Sequence, residues 1–261
     1  MPISDITPNK SLGQHFLHEA AIVERIVRAI APRPGQHVVE IGPGLGVLTA
    51  PLLDRLGSLD VVEIDTGLAH ALEQRFAGRP GLRIHVGDAL EFRFRELCEP
   101  SRKLRLIGNL PYNISTPLIF HVLDEIACLA DMVFMLQWEV GQRICAGPGS
   151  KTYGRLSVMT QFHCQPELLF KVGRGAFRPP PEVESCIVRL VPHPSPPYAI
   201  SPALFARVVQ QAFSQRRKTL RNALRGWVDE PGFRAAGVDA GLRAEALGVG
   251  DFARLAAQVA V

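Results

Sequence analysis

Four consecutive residues, Asn109, Leu110, Pro111 and Tyr112, combine an amide, a rigid turn and an aromatic ring directly after a short apolar run. The Asn109 side-chain oxygen and the Leu110 backbone carbonyl can both accept hydrogen bonds, and Pro111 restricts the turn between them. Tyr112 offers a flat face on which a planar base can stack. Two acceptors aimed at the hydrogens of an exocyclic amine would orient a nitrogen whose lone pair is delocalised into a ring. These residue types therefore predict methylation of an amine on a planar ring.

Methyl transfer to such an amine needs no strong general base when the methyl donor is already a cation. Catalysis then depends on positioning and on electrostatic stabilisation of the transition state. A base stacked inside a double helix cannot reach a pocket of this kind. We therefore expect the target base to be unpaired or flipped out of its stack.

A glycine-rich turn follows an earlier apolar run that ends at Ile41, with glycine at positions 42, 44 and 46. Gly42 and Gly44 permit a tight turn and let a ligand approach the backbone without meeting a Cβ atom. The dinucleotide fingerprint G-x-G-x-x-G is incomplete, because Val47 stands at its last glycine. A ligand without a pyrophosphate, such as S-adenosylmethionine, would relax this requirement. A plain tight turn between a strand and a helix is the alternative interpretation.

Two acidic residues follow at the ends of the next predicted strands. Glu63 lies about 20 residues after Gly42, where a carboxylate can accept hydrogen bonds from both ribose hydroxyls of a nucleotide. NAD and S-adenosylmethionine share this feature, so Glu63 does not choose between them. Asp88 can accept from the exocyclic amine of a cofactor adenine, and it can equally well cap a helix.

Strand-like and helix-like runs alternate over the first two-thirds of the chain. Ile119, Val122, Leu123 and Ile126, for example, recur with the spacing of one helix face. This alternation predicts an α/β fold with a doubly wound parallel sheet, in which ligands bind beyond the carboxyl ends of the strands. Little helix separates the last two strands, so we expect an antiparallel last strand. The predicted strands are 37–41, 60–64, 83–86, 104–107, 132–136, 168–172 and 186–191.

The proline-dense segment 177–197 ends this alternation, and the pattern after it is helical. We expect a methyltransferase domain over 1–193 and a small all-helical C-terminal domain over 194–261. The second domain carries six basic and no acidic residues between Ser201 and Arg225. Such a run favours contact with RNA phosphates, although a solvated basic surface is the ordinary alternative.

Within that run, the segment 216–227 places arginines at every fourth position, and it predicts one helix with a basic face. Leu220, Leu224 and Trp227 would form its packed face. Double-stranded RNA offers shape and phosphates rather than readable base edges, so this surface should recognise the form of a hairpin. The predicted RNA contacts are Arg216, Arg217, Lys218, Arg221 and Arg225.

The composition allows an ordinary globular protein, with 47% hydrophobic and 21% charged residues in a chain of 261. The net charge of +4 permits a nucleic-acid partner without arguing for one. No apolar run reaches the roughly 18 residues of a membrane span, and the first residues lack the apolar core of a signal peptide. Five scattered cysteines without a C-x-x-C pair favour a reducing compartment. We expect a cytoplasmic, metal-free monomer.

Six segments together resemble the KsgA/RsmA-type small-subunit (16S) rRNA adenine dimethyltransferases. They are KSLGQHFL (10–17), VEIGPGLGVLT (39–49), GNLPYNISTP (108–117), YGRLSVM (153–159), FRPPPEVES (177–185) and AFSQRRKTLRNAL (212–224). The resemblance implies transfer of four methyl groups from S-adenosylmethionine, two to each of two adjacent adenosines in a hairpin near the 3′ end of 16S rRNA. It also implies a Rossmann-like, class I methyltransferase sheet and a late role in small-subunit assembly.

The resemblance also implies site residues, matched motif by motif. Asn109, Leu110, Pro111 and Tyr112 would handle the target adenine, and Phe177 either flanks the base or belongs to the core. His15 stands where many relatives have Asn, and its contact could be made by the backbone. The implied cofactor contacts are His15, Leu17, Gly42, Gly44, Glu63, Asp88, Ala89 and Asn109.

Three other functions compete with this expectation. A non-catalytic RNA-binding assembly factor would not need Glu63, Asp88 and the 109–112 segment intact. A large-subunit rRNA adenine methyltransferase fits the GQHFL, GRLSVM and QRRKTLRNAL segments less well. An NAD-dependent oxidoreductase is disfavoured by Val47, by the 109–112 segment and by the basic run.

Overall fold

The structure is a computed structural model that describes residues 13–99, 101–215 and 217–259. Its strands are β1 Phe16–Leu17, β2 His37–Ile41, β3 Leu59–Glu63, β4 Leu82–Val86, β5 Leu104–Asn109, β6 Leu129–Gln137, β7 Cys164–Val172, β8 Phe177–Arg178 and β9 Ser185–Pro192. Its α-helices are α1 Ala20–Ile30, α2 Thr49–Leu56, α3 Thr66–Arg75, α4 Ser115–Asp124, α5 Trp138–Cys145, α6 Arg155–His163, α7 Pro202–Ser214, α8 Leu220–Ala223, α9 Glu230–Ala236 and α10 Val249–Ala256.

Seven strands form one sheet in the order β4-β3-β2-β5-β6-β9-β7. The pairings from β4 to β6 are parallel, and β9 runs antiparallel to β6, which confirms the predicted antiparallel last strand. Strand β5 lies beside β2, with Ile41 opposite Gly108. The glycine turn after β2 and Asn109 at the end of β5 therefore meet at one edge of the sheet.

The predicted strands are confirmed, with bounds that shift by a few residues. Strand β2 coincides with the predicted 37–41, whereas β6 begins at Leu129, before the predicted start at residue 132. Helix α4 begins at Ser115, and its first turn is closed by the Leu118 N–H, which donates to Ile114 O across 2.9 Å. These shifts leave every predicted strand in its place in the sheet.

The chain divides into two compact units. The first runs to Gly141 and resumes over Glu167–Pro192, and the second comprises Gln142–Pro166 and continues from His193. The second unit thus takes in a segment, 142–166, that the sequence-based division assigned to the first domain. The core of the first unit packs strand residues such as Val38, Val61, Ile107, Val133 and Ile187 against helix residues such as Ile26 and Leu52.

In the second unit, α7 buries an apolar face, and the Phe162 and Phe205 rings stack with centroids 3.8 Å apart. The prediction of a single basic helix over 216–227 is wrong, because α8 spans only Leu220–Ala223. Leu220 and Arg221 are the first two residues of α8, and their N–H groups donate to the carbonyls of Leu242 and Ala240 rather than to residues four positions earlier. Tertiary backbone bonds therefore override the helical spacing of this segment.

Candidate active site

The turn after β2 requires glycine on conformational grounds. Gly42, Gly44 and Gly46 have φ values of +63°, +55° and +75°, a region that side chains with a Cβ rarely adopt. A Cβ on Gly44 would lie 3.3 Å from the ring of Phe16. A Cβ on Gly42 would lie 3.9 Å from Asn109 O, the nearest atom in its surroundings. The turn therefore leaves space between itself and the end of β5.

One cavity in the first unit opens at this edge of the sheet. Its walls come from segments 13–17, 40–45, 62–64, 87–89 and 109–114, with Val47, Leu48 and Leu68. Eleven of the residues predicted for the cofactor or the base lie along it. They are His15, Leu17, Gly42, Gly44, Glu63, Asp88, Ala89, Asn109, Leu110, Pro111 and Tyr112.

Glu63 ends β3 and is buried, with 4% of its surface exposed. Its Oε2 accepts from the Gly44 N–H across 3.1 Å, and its Oε1 accepts from the Asp65 N–H across 3.0 Å. Burial raises the pKa of Glu63, and these two backbone bonds offset part of that rise. Each carboxylate oxygen has two lone-pair sites, so the carboxylate can accept further hydrogen bonds from a ligand.

Asp88 follows β4 and lines the cavity. Its Oδ1 accepts from the Leu90 N–H across 2.9 Å, a bond that closes a local turn. Residues 89–91 form a turn rather than an α-helix. Asp88 therefore closes a turn rather than capping a helix, and its carboxylate still borders the cavity.

Asn109 is the last residue of β5, and its Nδ2 donates to the backbone carbonyl of His15 across 3.1 Å. This bond turns the side-chain oxygen of Asn109 away from His15. The turn that follows is held by Pro111 O, which accepts from the Ile114 N–H at 3.2 Å and from Ser115 Oγ at 2.9 Å. The 109–112 segment is thus a fixed turn on the cavity wall.

The ring of Tyr112 is half-buried and has two partners. Its hydroxyl lies 2.6 Å from Ser185 Oγ, and the ring of His15 stacks on it with centroids 5.6 Å apart. His15 Nδ1 in turn lies 2.8 Å from Pro179 O. Burial raises the pKa of the Tyr112 phenol, so it stays protonated and able to donate at neutral pH. Sequence reasoning missed Ser185, which lies 73 positions from Tyr112.

A second residue missed from the sequence is Glu40, which lines the cavity beneath the glycine turn. It is buried, and Thr49 Oγ1 donates to its Oε2 across 2.7 Å. Burial raises the pKa of Glu40 to about 7, against the bond from Thr49, and the nearby charge of Glu63 adds to the rise. An acidic residue two positions before a glycine-rich turn is the signal that could have found it.

Phe177 does not flank the cavity. It lies in β8, opposite Leu17 of β1, and only 2% of its surface is exposed. Its side chain belongs to the hydrophobic core of the first unit. Of the two alternatives for Phe177, the structure places it in the core, because pairing of β1 with β8 turns the ring inward.

The predicted RNA contacts lie in the second unit, and all those that the structure describes are exposed. Arg217 and Lys218 lie in a turn before α8. Arg221 Nε forms an ion pair with Glu230 across 2.8 Å, and Arg225 donates to Asn222 Oδ1 across 2.9 Å. Arg216 lies outside the described residues. Instead of one helical stripe, two of these cations lie in the turn before α8, one lies in α8 and one lies in the turn after it, and we call them the basic cluster.

Two further features are absent from the described ranges. In them, no group of three or more His, Cys, Asp or Glu side chains is arranged to hold a metal ion. Nor is any helix there long and apolar enough to cross a bilayer.

The sheet is mostly parallel, and a glycine turn follows β2. An acid ends its neighbour β3, and the Asn-Leu-Pro-Tyr turn follows its other neighbour β5. Together these features define a methyltransferase-type α/β fold. Two solved structures share it over nearly their whole length. A dimethyladenosine transferase from Plasmodium falciparum matches with a TM-score of 0.77 and 25% identity, covering 92% of this chain and 96% of that one. The 23S rRNA methyltransferase ErmE matches with a TM-score of 0.71 and 26% identity, covering 94% and 99%.

Curated relatives are more similar in sequence. A ribosomal RNA small subunit methyltransferase A from Pseudomonas putida is 54% identical, covering 96% of this chain and 94% of its own. A protein of the same name from Chromohalobacter salexigens is 50% identical, covering 99% and 95%. The family model for ribosomal RNA adenine dimethylase matches residues 6–260. The chain belongs to the ribosomal RNA adenine dimethylase family.

Proposed function

We propose that this chain transfers methyl groups from S-adenosylmethionine to the exocyclic amines of two adjacent adenosines in a hairpin near the 3′ end of 16S rRNA. The products are dimethyladenosines, made late in assembly of the small ribosomal subunit in the cytoplasm, by a monomer. The observation that carries the proposal is the Asn109–Tyr112 turn, which faces the same cavity as Glu63 and the glycine turn. The names of the relatives support ribosomal RNA of the small subunit as the substrate.

The residues of the cavity fit S-adenosylmethionine, which supplies a methyl group on a sulfonium cation. The space beside Gly42 admits a ligand next to the backbone. Glu63, already oriented by the N–H groups of Gly44 and Asp65, accepts hydrogen bonds from the ribose hydroxyls. Asp88 and Ala89 receive the adenine, while the segment around His15 and Leu17 borders the other side of the cofactor.

At the end of β5, the chain's own groups orient the target amine. Asn109 Oδ1 and the Leu110 carbonyl accept from its two hydrogens, and Tyr112 stacks on the base. A base–aromatic stack of this kind contributes about 1–3 kcal/mol. Orientation of the amine towards the methyl donor, rather than removal of a proton by a strong base, accounts for the rate enhancement.

The basic cluster of the second unit binds RNA phosphates. Arg217, Lys218 and Arg225 are exposed cations, and Arg221 shares its charge with Glu230. We extend this proposal to Arg216 as a phosphate contact and to residues 194–261 as a helical RNA-binding domain. Phosphate contacts position a hairpin without reading its sequence, so choice of the adenosines falls to the cavity.

The test is to incubate the protein with labelled S-adenosylmethionine and small subunits that lack these methylations, and then to map the label. We expect label in two adjacent adenosines, and none in large subunits treated in the same way. Asn109→Ala should lower transfer about 100-fold or more, because a preorganised acceptor is lost, whereas Asn109→Asp retains an acceptor and should lose less. Subunit binding without any transfer would refute the proposal and leave a non-catalytic assembly factor.

A further inference from the structure

The ring of Tyr112 needs an anchor if it is to receive a base in a fixed plane. A tyrosine side chain turns about two bonds, and this one is only half-buried at the cavity. Its hydroxyl, at the far end of the ring, lies 2.6 Å from Ser185 Oγ. That distance is typical of a strong O–H···O hydrogen bond. A bond at this point restrains the swing of the whole ring.

Ser185 is itself held firmly. It is the first residue of β9 and pairs with Gln137 at the end of β6, so the sheet fixes its backbone. It has no exposed surface, so bulk water does not compete for its hydroxyl. Ser185 does not line the cavity, but its hydroxyl contacts Tyr112, which does.

We infer that Ser185 is a positioning residue for methyl transfer, whose hydroxyl sets the angle of the Tyr112 ring and thereby the plane of the target base. The inference rests on the proposed function, in which that ring stacks on the base. It assigns a task to the last residue of the FRPPPEVES segment. It also explains why a serine, rather than an apolar residue, occupies a fully buried position at the start of a strand.

Positioning and a merely structural role lead to different results. A hydroxyl that only satisfied a buried polar group would lower stability on removal but leave turnover per folded molecule unchanged. A positioning hydroxyl lowers kcat and leaves cofactor affinity unchanged. It also raises KM for RNA only slightly, since phosphate contacts supply most of the RNA affinity.

Ring order can be measured directly, without any transfer reaction. The chain contains three tyrosines, so protein labelled with 3-fluorotyrosine gives few ¹⁹F resonances, and Tyr112→Phe identifies the one from Tyr112. We expect Ser185→Ala to shift and broaden that resonance alone. Ser157→Ala is the matched control, because Ser157 is equally buried and its hydroxyl bonds to the backbone of Gly154 and Arg143.

A double-mutant cycle then links the ring to transfer. Ser185→Ala and Tyr112→Phe should each lower kcat about three- to tenfold, the factor that one hydrogen bond supplies. The double variant should be no slower than Tyr112→Phe, since both changes remove the same bond. Ser185→Thr, which keeps the hydroxyl, should restore part of the rate.

An unmoved Tyr112 resonance in Ser185→Ala, or effects on kcat that multiply in the double variant, would overturn the inference and leave the proposed function standing. Absence of transfer by the wild type would instead refute the proposed function. If Ser185→Ala fails to fold, Tyr112→Phe still removes the same hydrogen bond while leaving Ser185 in place. Its kcat then tests the role of the bond by itself.

Discussion

The backbone N–H of Gly44 donates to Glu63 Oε2 across 3.1 Å, and this bond joins the glycine turn after β2 to the carboxylate at the end of β3. The glycine turn and the Glu63 carboxylate are therefore held together directly by a hydrogen bond. The bond orients the carboxylate before any ligand binds, which lowers the cost of ordering it on binding.

Glu63→Gln should weaken binding of S-adenosylmethionine. The amide keeps the size of the side chain, but its N–H₂ group must face one of the two N–H donors, Gly44 or Asp65, and the amide accepts poorly from ribose. We expect a loss of about tenfold to a hundredfold in affinity, the range for a charged hydrogen bond, measured by calorimetry. The exposed Glu91→Gln is the control, and equal affinities for the two variants would contradict the role given to Glu63.

Gly44→Ala tests the turn against a matched glycine. Gly57, at the end of α2, has φ +78° and no atom within 4 Å of an added Cβ, whereas a Cβ on Gly44 meets the Phe16 ring. Gly57→Ala should cost about 1–2 kcal/mol of unfolding free energy from backbone strain alone. Gly44→Ala should cost more in denaturant unfolding, and only this variant should also weaken cofactor binding. Identical behaviour of the two would show that the contact with Phe16 has no consequence.

Glu40 makes stability depend on pH. Its ordinary pKa of 4.5 is raised to about 7 by burial, so the folded state holds a proton that the unfolded state has lost. Stability therefore falls as pH rises from about 4.5 to about 7, by on the order of 3 kcal/mol. Below pH 4.5 both states are protonated and the penalty vanishes.

Glu40→Gln should remove that dependence. In denaturant unfolding between pH 4 and pH 8, the free energy of unfolding of the variant should rise relative to that of the wild type as pH rises. The difference should become constant above about pH 7. The exposed Glu91→Gln provides the baseline, and a wild type that follows the Glu40→Gln profile would exclude a protonated Glu40.

RNA binding by the basic cluster should depend on salt concentration. Arg217→Glu/Arg221→Glu should weaken RNA binding and leave cofactor binding intact. Among single changes, Arg217→Ala should reduce the slope of log affinity against log salt by about one, as expected for one phosphate contact. Arg221→Ala should reduce it less, because Glu230 already neutralises that guanidinium. An unchanged RNA affinity across the salt series would exclude phosphate contact by this cluster.

Prediction from sequence succeeded where consecutive residues carry the information. The strand runs, the glycines that need positive φ and the Asn-Leu-Pro-Tyr turn are such features, because local geometry and hydrophobic periodicity depend on neighbours in the chain. Prediction failed over 216–227, where even spacing of arginines indicated a helix. The Leu220 and Arg221 N–H groups bond instead to carbonyls near residue 241, which no local pattern indicates.

The sequence by itself determined the α/β architecture, the order of its strands along the chain and the residue types that border the cavity. Only the tertiary structure decided that Tyr112 is anchored by Ser185, that Asn109 donates to the His15 backbone and that Phe177 turns into the core. These contacts join residues that are far apart in the chain. Their free energy appears only when the sheet brings the partners together, so no sequence pattern records them.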